Sequence, residues 1–185
     1  MNKKVHFLAL RTLYWELTNK ITRFQYINSI VYRIPGNFGQ IIRSRILLPH
    51  FKHAGKDVVI FQGVQYRGQQ ELSVDDGVRI GIDCFLQASG GLYLGKNVML
   101  GPGVKIWTVN HIFDEVETPI HEQGYDLKPV HIGEGCWIGA NCFIMPGVTL
   151  PEGCVVSAGS VVGIKQYPPY SIISGNPARV VGKRS

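Results

Sequence analysis

The sequence predicts an all-β main domain, a parallel β-helix of six-residue repeats, with an N-terminal helical segment and one extruded loop. Three observations carry this. Aliphatic residues recur at six-residue steps from Val74 to Val162. The first third of the chain follows a three-to-four-residue apolar period instead. The six-residue rhythm fails once, between Ile106 and Ile132.

The repeat is the strongest signal. Aliphatics fall at Val74, Ile80 and Leu86, then after a two-residue slip at Leu94, Leu100 and Ile106. They return at Ile132, Ile138, Ile144, Leu150, Val156 and Val162. Four places after most of these sits a second small or apolar residue, among them Val78, Cys84, Val98, Val104, Cys136, Cys142, Val148 and Cys154. A fixed step of this length means one short strand and a turn per unit. Three units close a coil of about 18 residues, and coils stack at about 4.8 Å. The aliphatics then point inward, each over its counterpart one coil away. Gly81, Gly95, Gly101, Gly133 and Gly139 follow inward aliphatics, where tight corners need small residues. One coil cannot bury its inner face, so several must stack. Residues 58–167 supply roughly five.

Residues 5–33 contain no Gly or Pro, and Leu10, Leu13, Leu17, Ile21, Phe24, Ile27 and Val31 recur at steps of three and four. That is an amphipathic helical period. Thr18-Asn19 is a break point, Pro35-Gly36-Asn37 ends the run, and Phe38 to Leu48 forms a further helix. The predicted division is residues 1–56 as the N-terminal helical segment and 57–185 as the β-helix domain, with the loop at 110–129.

Charge divides the same way. The chain carries +6 overall, but residues 1–56 hold ten Lys/Arg against one Glu, and residues 57–185 hold nine against twelve Asp/Glu. A basic amphipathic segment suits an anionic surface, which gives peripheral membrane contact as one expectation. The other is a cap over the open first coil, which must be covered. Nucleic acid is not expected as a partner. With 45% hydrophobic and 17% charged residues the chain is not a disordered one. No apolar run reaches the ~20 residues that span a bilayer, and Val5 to Leu10 is too short and lacks a cleavage site for a signal peptide. The four cysteines form no C-x-x-C pair, which disfavours a zinc knuckle. They read as reduced core residues of a cytoplasmic protein, with Cys136 and Cys154 one coil apart.

Residues 130–181, with WIGAN, PGVT, AGSVV and GNPAR, resemble the hexapeptide-repeat acyltransferases. The resemblance is strongest to the sugar O-acetyltransferases of polysaccharide and lipopolysaccharide loci, with maltose and galactoside acetyltransferases as further relatives. It covers about residues 40–184. It implies a left-handed β-helix, a homotrimer with active sites in the grooves between prisms, acetyl-CoA as co-substrate and a saccharide acceptor.

The break in the repeat must loop outward, and loops on rigid scaffolds carry function. It holds His111, which the resemblance makes the catalytic base, since it follows Trp107-Thr108-Val109-Asn110 at the mouth of the loop. A neutral imidazole takes the proton from an attacking hydroxyl, an effect of about 10²–10⁴-fold. Asp114 and Glu134 are candidates to orient it, as is a backbone carbonyl. The γ-type carbonic anhydrases share this fold and bind zinc through three histidines, two of them five residues apart. This chain has no such pair, and no metal is expected.

The resemblance places the cofactor arm against Gly139, Ala140, Ala158 and Gly159, with Trp137 lining the groove or packing between subunits. It assigns Lys165, Asn176, Pro177, Arg179 and Lys183, with Arg184, to the C-terminal coenzyme-binding segment 165–185. The run Gly163 to Pro169 departs from the usual Thr-Lys-Asp pattern, which puts the threonine contact in doubt. Acceptor-binding candidates are Gln87, Asn110, Asp114, Gln123 and Tyr125, with Trp107 and Phe113 as neighbouring aromatics. The expected reaction is O-acetylation of a cell-surface polysaccharide or its precursor, in the cytoplasm or at the inner face of the membrane. N-acetylation of an amino sugar and a non-enzymatic scaffold are the alternatives.

Overall fold

The computed structural model describes the backbone of residues 3–184 and the side chains of residues 8–184. Three helices, α1 (Lys3–Thr18), α2 (Lys20–Val31) and α3 (Gly36–Leu47), lead into a parallel β-solenoid. The first coil is β1 (His53–Ala54), β2 (Val59–Ile60) and β3 (Gln65–Arg67). The second is β4 (Leu72–Val74), β5 (Arg79–Ile80) and β6 (Phe85–Gln87). The third is β7 (Leu92–Leu94), β8 (Met99–Leu100) and β9 (Lys105–Trp107). An antiparallel hairpin of β10 (Val109–His111) and β11 (Tyr125–Leu127) then leaves the solenoid. The fourth coil is β12 (Val130–Ile132), β13 (Trp137–Ile138) and β14 (Phe143–Ile144). The fifth is β15 (Thr149–Leu150), β16 (Val155–Val156) and β17 (Val161–Val162). β18 (Ser171–Gly175) adds a sixth rung to one face, and β19 (Ala178–Lys183) folds back on it antiparallel.

The six-residue step thus becomes three flat faces. On the first, Val74, Leu94, Ile132 and Leu150 stand in register and are buried. Each such side chain contributes roughly 1.5–3 kcal/mol by leaving water. Inward corner positions hold the four cysteines, Cys84 and Cys142 in one column and Cys136 and Cys154 in another, all buried and all free thiols. Burial pushes the Cys84 thiol up to about 12. Cys136 and Cys154 stand side by side, each preceding a residue of the Trp137–Val155 pair, as their spacing predicts, and the Cys136 Sγ donates to the Pro151 carbonyl (3.0 Å).

Corners follow two rules. A Cβ on Gly139 would stand 2.6 Å from the Ala158 nitrogen, so the close approach of successive coils demands glycine there. A left-handed residue also recurs about every six positions, at Asp83, Asn97, Gly103, Gly135, Asn141, Gly147, Gly153 and Gly159 among others. Gly, Asn and Asp are the residues that tolerate this conformation.

The first coil presents its open edge to the helices. Backbone N–H groups of that coil donate to the second coil, for instance Val59 to Val78 and Gln65 to Cys84. The carbonyls of Val58, Ile60, Val64 and Tyr66 are left over, and unpaired buried carbonyls are costly. Side chains of α2 and α3 answer each one. Ser44 Oγ donates to Val58 (2.8 Å), Arg43 Nε to Ile60 (3.0 Å), Asn28 Nδ2 to Val64 (3.2 Å) and Gln25 Nε2 to Tyr66 (3.0 Å). Arg43 is 2% exposed, and its Nη1 also donates to the carbonyls of Val31 and Ile34. Phe24 and Leu47 close the apolar end of the prism. Asn19 separates α1 from α2 and caps α2, accepting from the Ile21 and Thr22 amides, as Thr18-Asn19 suggests.

Two boundaries differ from the sequence reading. The solenoid begins at His53, inside the segment assigned to helices, because β1 pairs with β4 although its inward residue is only Ala54. The third helix starts at Gly36 rather than Phe38. Among the described residues, no helix is long and apolar enough to cross a membrane, and no group of three His, Cys, Asp or Glu is placed to hold a metal ion.

Candidate active site

Thr108 decides where the chain leaves the solenoid. It is fully buried. Its N–H and its hydroxyl both donate to the Gln87 carbonyl (3.0 and 2.8 Å), and its Oγ1 accepts the Gly90 N–H (2.8 Å). Its carbonyl accepts the Lys128 N–H (2.9 Å), which ties the two ends of the excursion together. Gly90 has to be glycine, since a Cβ there would lie 2.2 Å from the Thr108 oxygen. The extruded loop is therefore an anchored hairpin.

On this hairpin Val109 faces Leu127, Asn110 faces Asp126 and His111 faces Tyr125. The His111 and Tyr125 ring centroids are 4.7 Å apart with planes at 43°. Asn110 Oδ1 accepts the His111 amide (3.1 Å). A cleft of about 580 Å³ opens here, lined by residues 110–114 and 125–128. It brings together His111, Asn110, Asp114, Tyr125 and Phe113, with Lys128 beside them. The imidazole is exposed to the cleft. Such a ring can exchange a proton with a bound hydroxyl.

The other two acceptor candidates do different work. Gln123 spends its amide on the hairpin tip: Oε1 accepts the Glu115 N–H (3.0 Å), and Nε2 donates to the Glu115 and Thr118 carbonyls (2.7 Å each). Gln87 accepts from the Ser89 amide and hydroxyl, and its carbonyl anchors Thr108. Both lie outside the cleft lining and shape the hairpin. Trp107 is drawn into a stack between Phe85 and Phe143, with centroids 6.0 Å apart on each side. Asp114 lines the cleft but makes no hydrogen bond to the imidazole among the described residues. Glu134 lies outside it, on the turn between β12 and β13.

Sequence reasoning missed a second groove, of about 640 Å³, which shares Leu127 with the first. Its floor on the first face is Ser73, Tyr93 and His131 in register. Lys52 and Glu71, joined at 3.1 Å, form one wall. The Tyr93 hydroxyl donates to Asp75 (2.5 Å), which raises its pKa above the ordinary phenol value. The outward position of each strand was the signal available.

The predicted coenzyme residues gather elsewhere on the fourth and fifth coils. Trp137 stands outward on β13, 49% exposed, between Met99 and Val155. At the following corner Gly159 donates to the Ala140 carbonyl (2.8 Å), while the N–H groups of Ala140 and Ala158 have no protein acceptor among the described residues. One coil earlier the matching position is Pro102, which has no N–H. Lys165 Nζ donates to the Ala178 carbonyl (3.2 Å), and the Gly175 N–H to Ser160 Oγ (3.1 Å), so the β18–β19 hairpin is tied to this corner. Asn176 and Pro177 form its exposed tip, and Arg179 and Lys183 are exposed on β19. Arg184 Nη1 donates instead to the Gly153 carbonyl (2.9 Å). None of these residues lines the His111 cleft of the same chain.

The fold is a parallel β-solenoid of six-residue repeats, with an imidazole on an anchored hairpin and backbone donors at a small-residue corner. The family description "hexapeptide repeat of succinyl-transferase" matches residues 129–163. The chain is 28% identical over 172 residues to a putative colanic acid biosynthesis acetyltransferase of Escherichia coli, covering 93% of this chain and 86% of that one. It resembles the crystal structure of a maltose O-acetyltransferase from Clostridium difficile with a TM-score of 0.77 and 26% identity, over 91% of this chain and 88% of that one. A hexapeptide-repeat acetyltransferase of Vibrio cholerae, solved in complex with acetyl coenzyme A, shares the fold with a TM-score of 0.71 and 21% identity, over 89% and 86%. The chain is similar to hexapeptide-repeat acetyltransferases over most of its length. It spans 42–65% of the length of the first curated relatives that it matches.

Proposed function

We propose that this chain transfers an acetyl group from acetyl-CoA to a sugar hydroxyl of a cell-surface polysaccharide or its precursor, with His111 as general base. The observation that carries the reading is the exposed imidazole, held at the mouth of a cleft by a hairpin whose root is fixed at Thr108. A sugar hydroxyl is a weak nucleophile until its proton is removed as it attacks. His111 takes that proton and returns it to the leaving thiol. Acetyl-CoA supplies the activated acyl carbon.

The corner at Gly139, Ala140, Ala158 and Gly159 fits the coenzyme arm. Its small side chains let a ligand approach the backbone, and the Ala140 and Ala158 N–H groups are free to donate to amide carbonyls of that arm. Trp137 flanks it, and Arg179 and Lys183 suit phosphate. This corner is absent from the cleft lining of its own chain. We therefore take the active unit to be a homotrimer, in which His111 of one subunit faces the corner of its neighbour. Asn110, Asp114 and Tyr125 hold the acceptor, and the groove at Tyr93 and His131 extends the surface for a longer glycan. The reaction belongs in the cytoplasm, at the inner face of the membrane where lipid-linked precursors lie.

A thiol-release assay with acetyl-CoA against a panel of neutral and amino saccharides tests this. The four buried cysteines keep the background low. Release with neutral sugars supports the reading, and release with amino sugars alone makes it an N-acetyltransferase. Absence of acetyl-CoA binding by calorimetry would leave a scaffold.

A further inference from the structure

The duties of the N-terminal helices are unequal. α2 and α3 supply the side chains that satisfy the first coil, whereas α1 packs against α2. Among the described residues no hydrogen bond joins α1 to the solenoid. Its ties are the contact of Tyr26 with Glu16 and the bond from Thr22 Oγ1 to the Glu16 carbonyl (2.8 Å). The cap is complete without it.

What α1 presents outward is apolar. Leu8 is 59% exposed, Leu10 66%, Tyr14 72% and Trp15 57%. On a helix of 3.6 residues per turn, positions 8, 11 and 15 form one ridge and 10 and 14 the next, so these side chains share a face with the exposed Arg11. A contiguous exposed patch of this kind marks an interaction site. Sixteen residues rise only about 24 Å, short of the ~30 Å hydrocarbon core, so the helix cannot cross a bilayer.

We propose that α1 is a membrane-docking helix that lies in the plane of an anionic lipid surface. Leu8, Leu10, Tyr14 and Trp15 would enter the boundary between headgroups and acyl chains, and Arg11 would meet lipid phosphate. Trp and Tyr favour this boundary because each has an apolar body and a polar edge. Charge selects lipid over a second copy of the chain. In sequence, α1 and the residue that opens α2 carry Lys3, Lys4, Arg11 and Lys20 against a single acid, Glu16, which is already engaged by Tyr26. Two such segments repel each other, while an anionic leaflet attracts them. The proposal rests on the surface of α1 and does not depend on the acetyl-transfer reading.

The full chain is sedimented with vesicles of phosphatidylcholine alone, or of phosphatidylcholine with about one third phosphatidylglycerol, at low and high salt. Sedimentation with the anionic vesicles alone, weakening as salt rises, is expected. The double variant Leu10→Ser, Trp15→Ser changes only exposed side chains, so it should keep the wild-type unfolding midpoint and lose at least tenfold in vesicle partition. Three results would overturn the proposal: no vesicle binding, equal binding to neutral vesicles, or unchanged binding by the variant. Self-association that the variant abolishes would also overturn it, by assigning the face to a second copy. Acetyl-CoA calorimetry on the same sample keeps the outcome separate from that of the catalytic reading.

Discussion

His111 and Tyr125 face each other across the β10–β11 ladder, with ring centroids 4.7 Å apart. The tyrosine ring limits where the imidazole can turn. Replacing Tyr125 by Ala should free it and lower kcat by about 10–100-fold, since small misplacements of a catalytic group carry penalties of that order. Acetyl-CoA affinity, measured by calorimetry, should stay the same.

Thr108 is the root of the hairpin. Thr108→Val keeps the shape but removes the hydroxyl that bridges Gln87 and Gly90. Leaving the Gly90 N–H without its acceptor should cost about 1–3 kcal/mol in urea unfolding. Limited proteolysis should cut residues 112–124 faster than in the wild type.

The six-residue period made the solenoid, its inward columns and the Cys136–Cys154 stack legible, because burial on a repeating scaffold leaves a repeating pattern. The exit of the chain at the break was legible too. Its form was not, because Thr108 anchors it through backbone partners distant in sequence, and a single threonine carries no local signature. Gln87 and Gln123 carry a related ambiguity: an amide near a site can face a ligand or brace a turn, and spacing does not distinguish the two. The cap was legible only as a need. That Arg43, Asn28, Gln25 and Ser44 meet four orphan carbonyls depends on how α2 and α3 sit on the coil.

Arg43 is the central donor of that cap, with three carbonyl partners and 2% exposure. Arg43→Met should fill the space but strand those carbonyls, at about 2–4 kcal/mol in denaturant unfolding. Ser44→Ala, which removes one neutral donor, should cost about 1 kcal/mol.

His50 gives the cap a pH dependence. Its ring meets Phe24 edge-on at 5.5 Å, and burial, with the nearby Arg23 charge, lowers its pKa below the ordinary 6.5. The folded state thus favours the neutral ring. Its contribution is fully present above the ordinary value and is lost as pH falls through the lower folded value. The urea midpoint should drop as pH is lowered from about 7 to 5, and His50→Asn should flatten that dependence.

The most direct measurement compares His111→Ala with the wild type in steady-state acetyl transfer, alongside calorimetry with acetyl-CoA. Turnover should fall by about 10²–10⁴-fold while coenzyme affinity holds. A variant that turns over at the wild-type rate would contradict the assignment of the base.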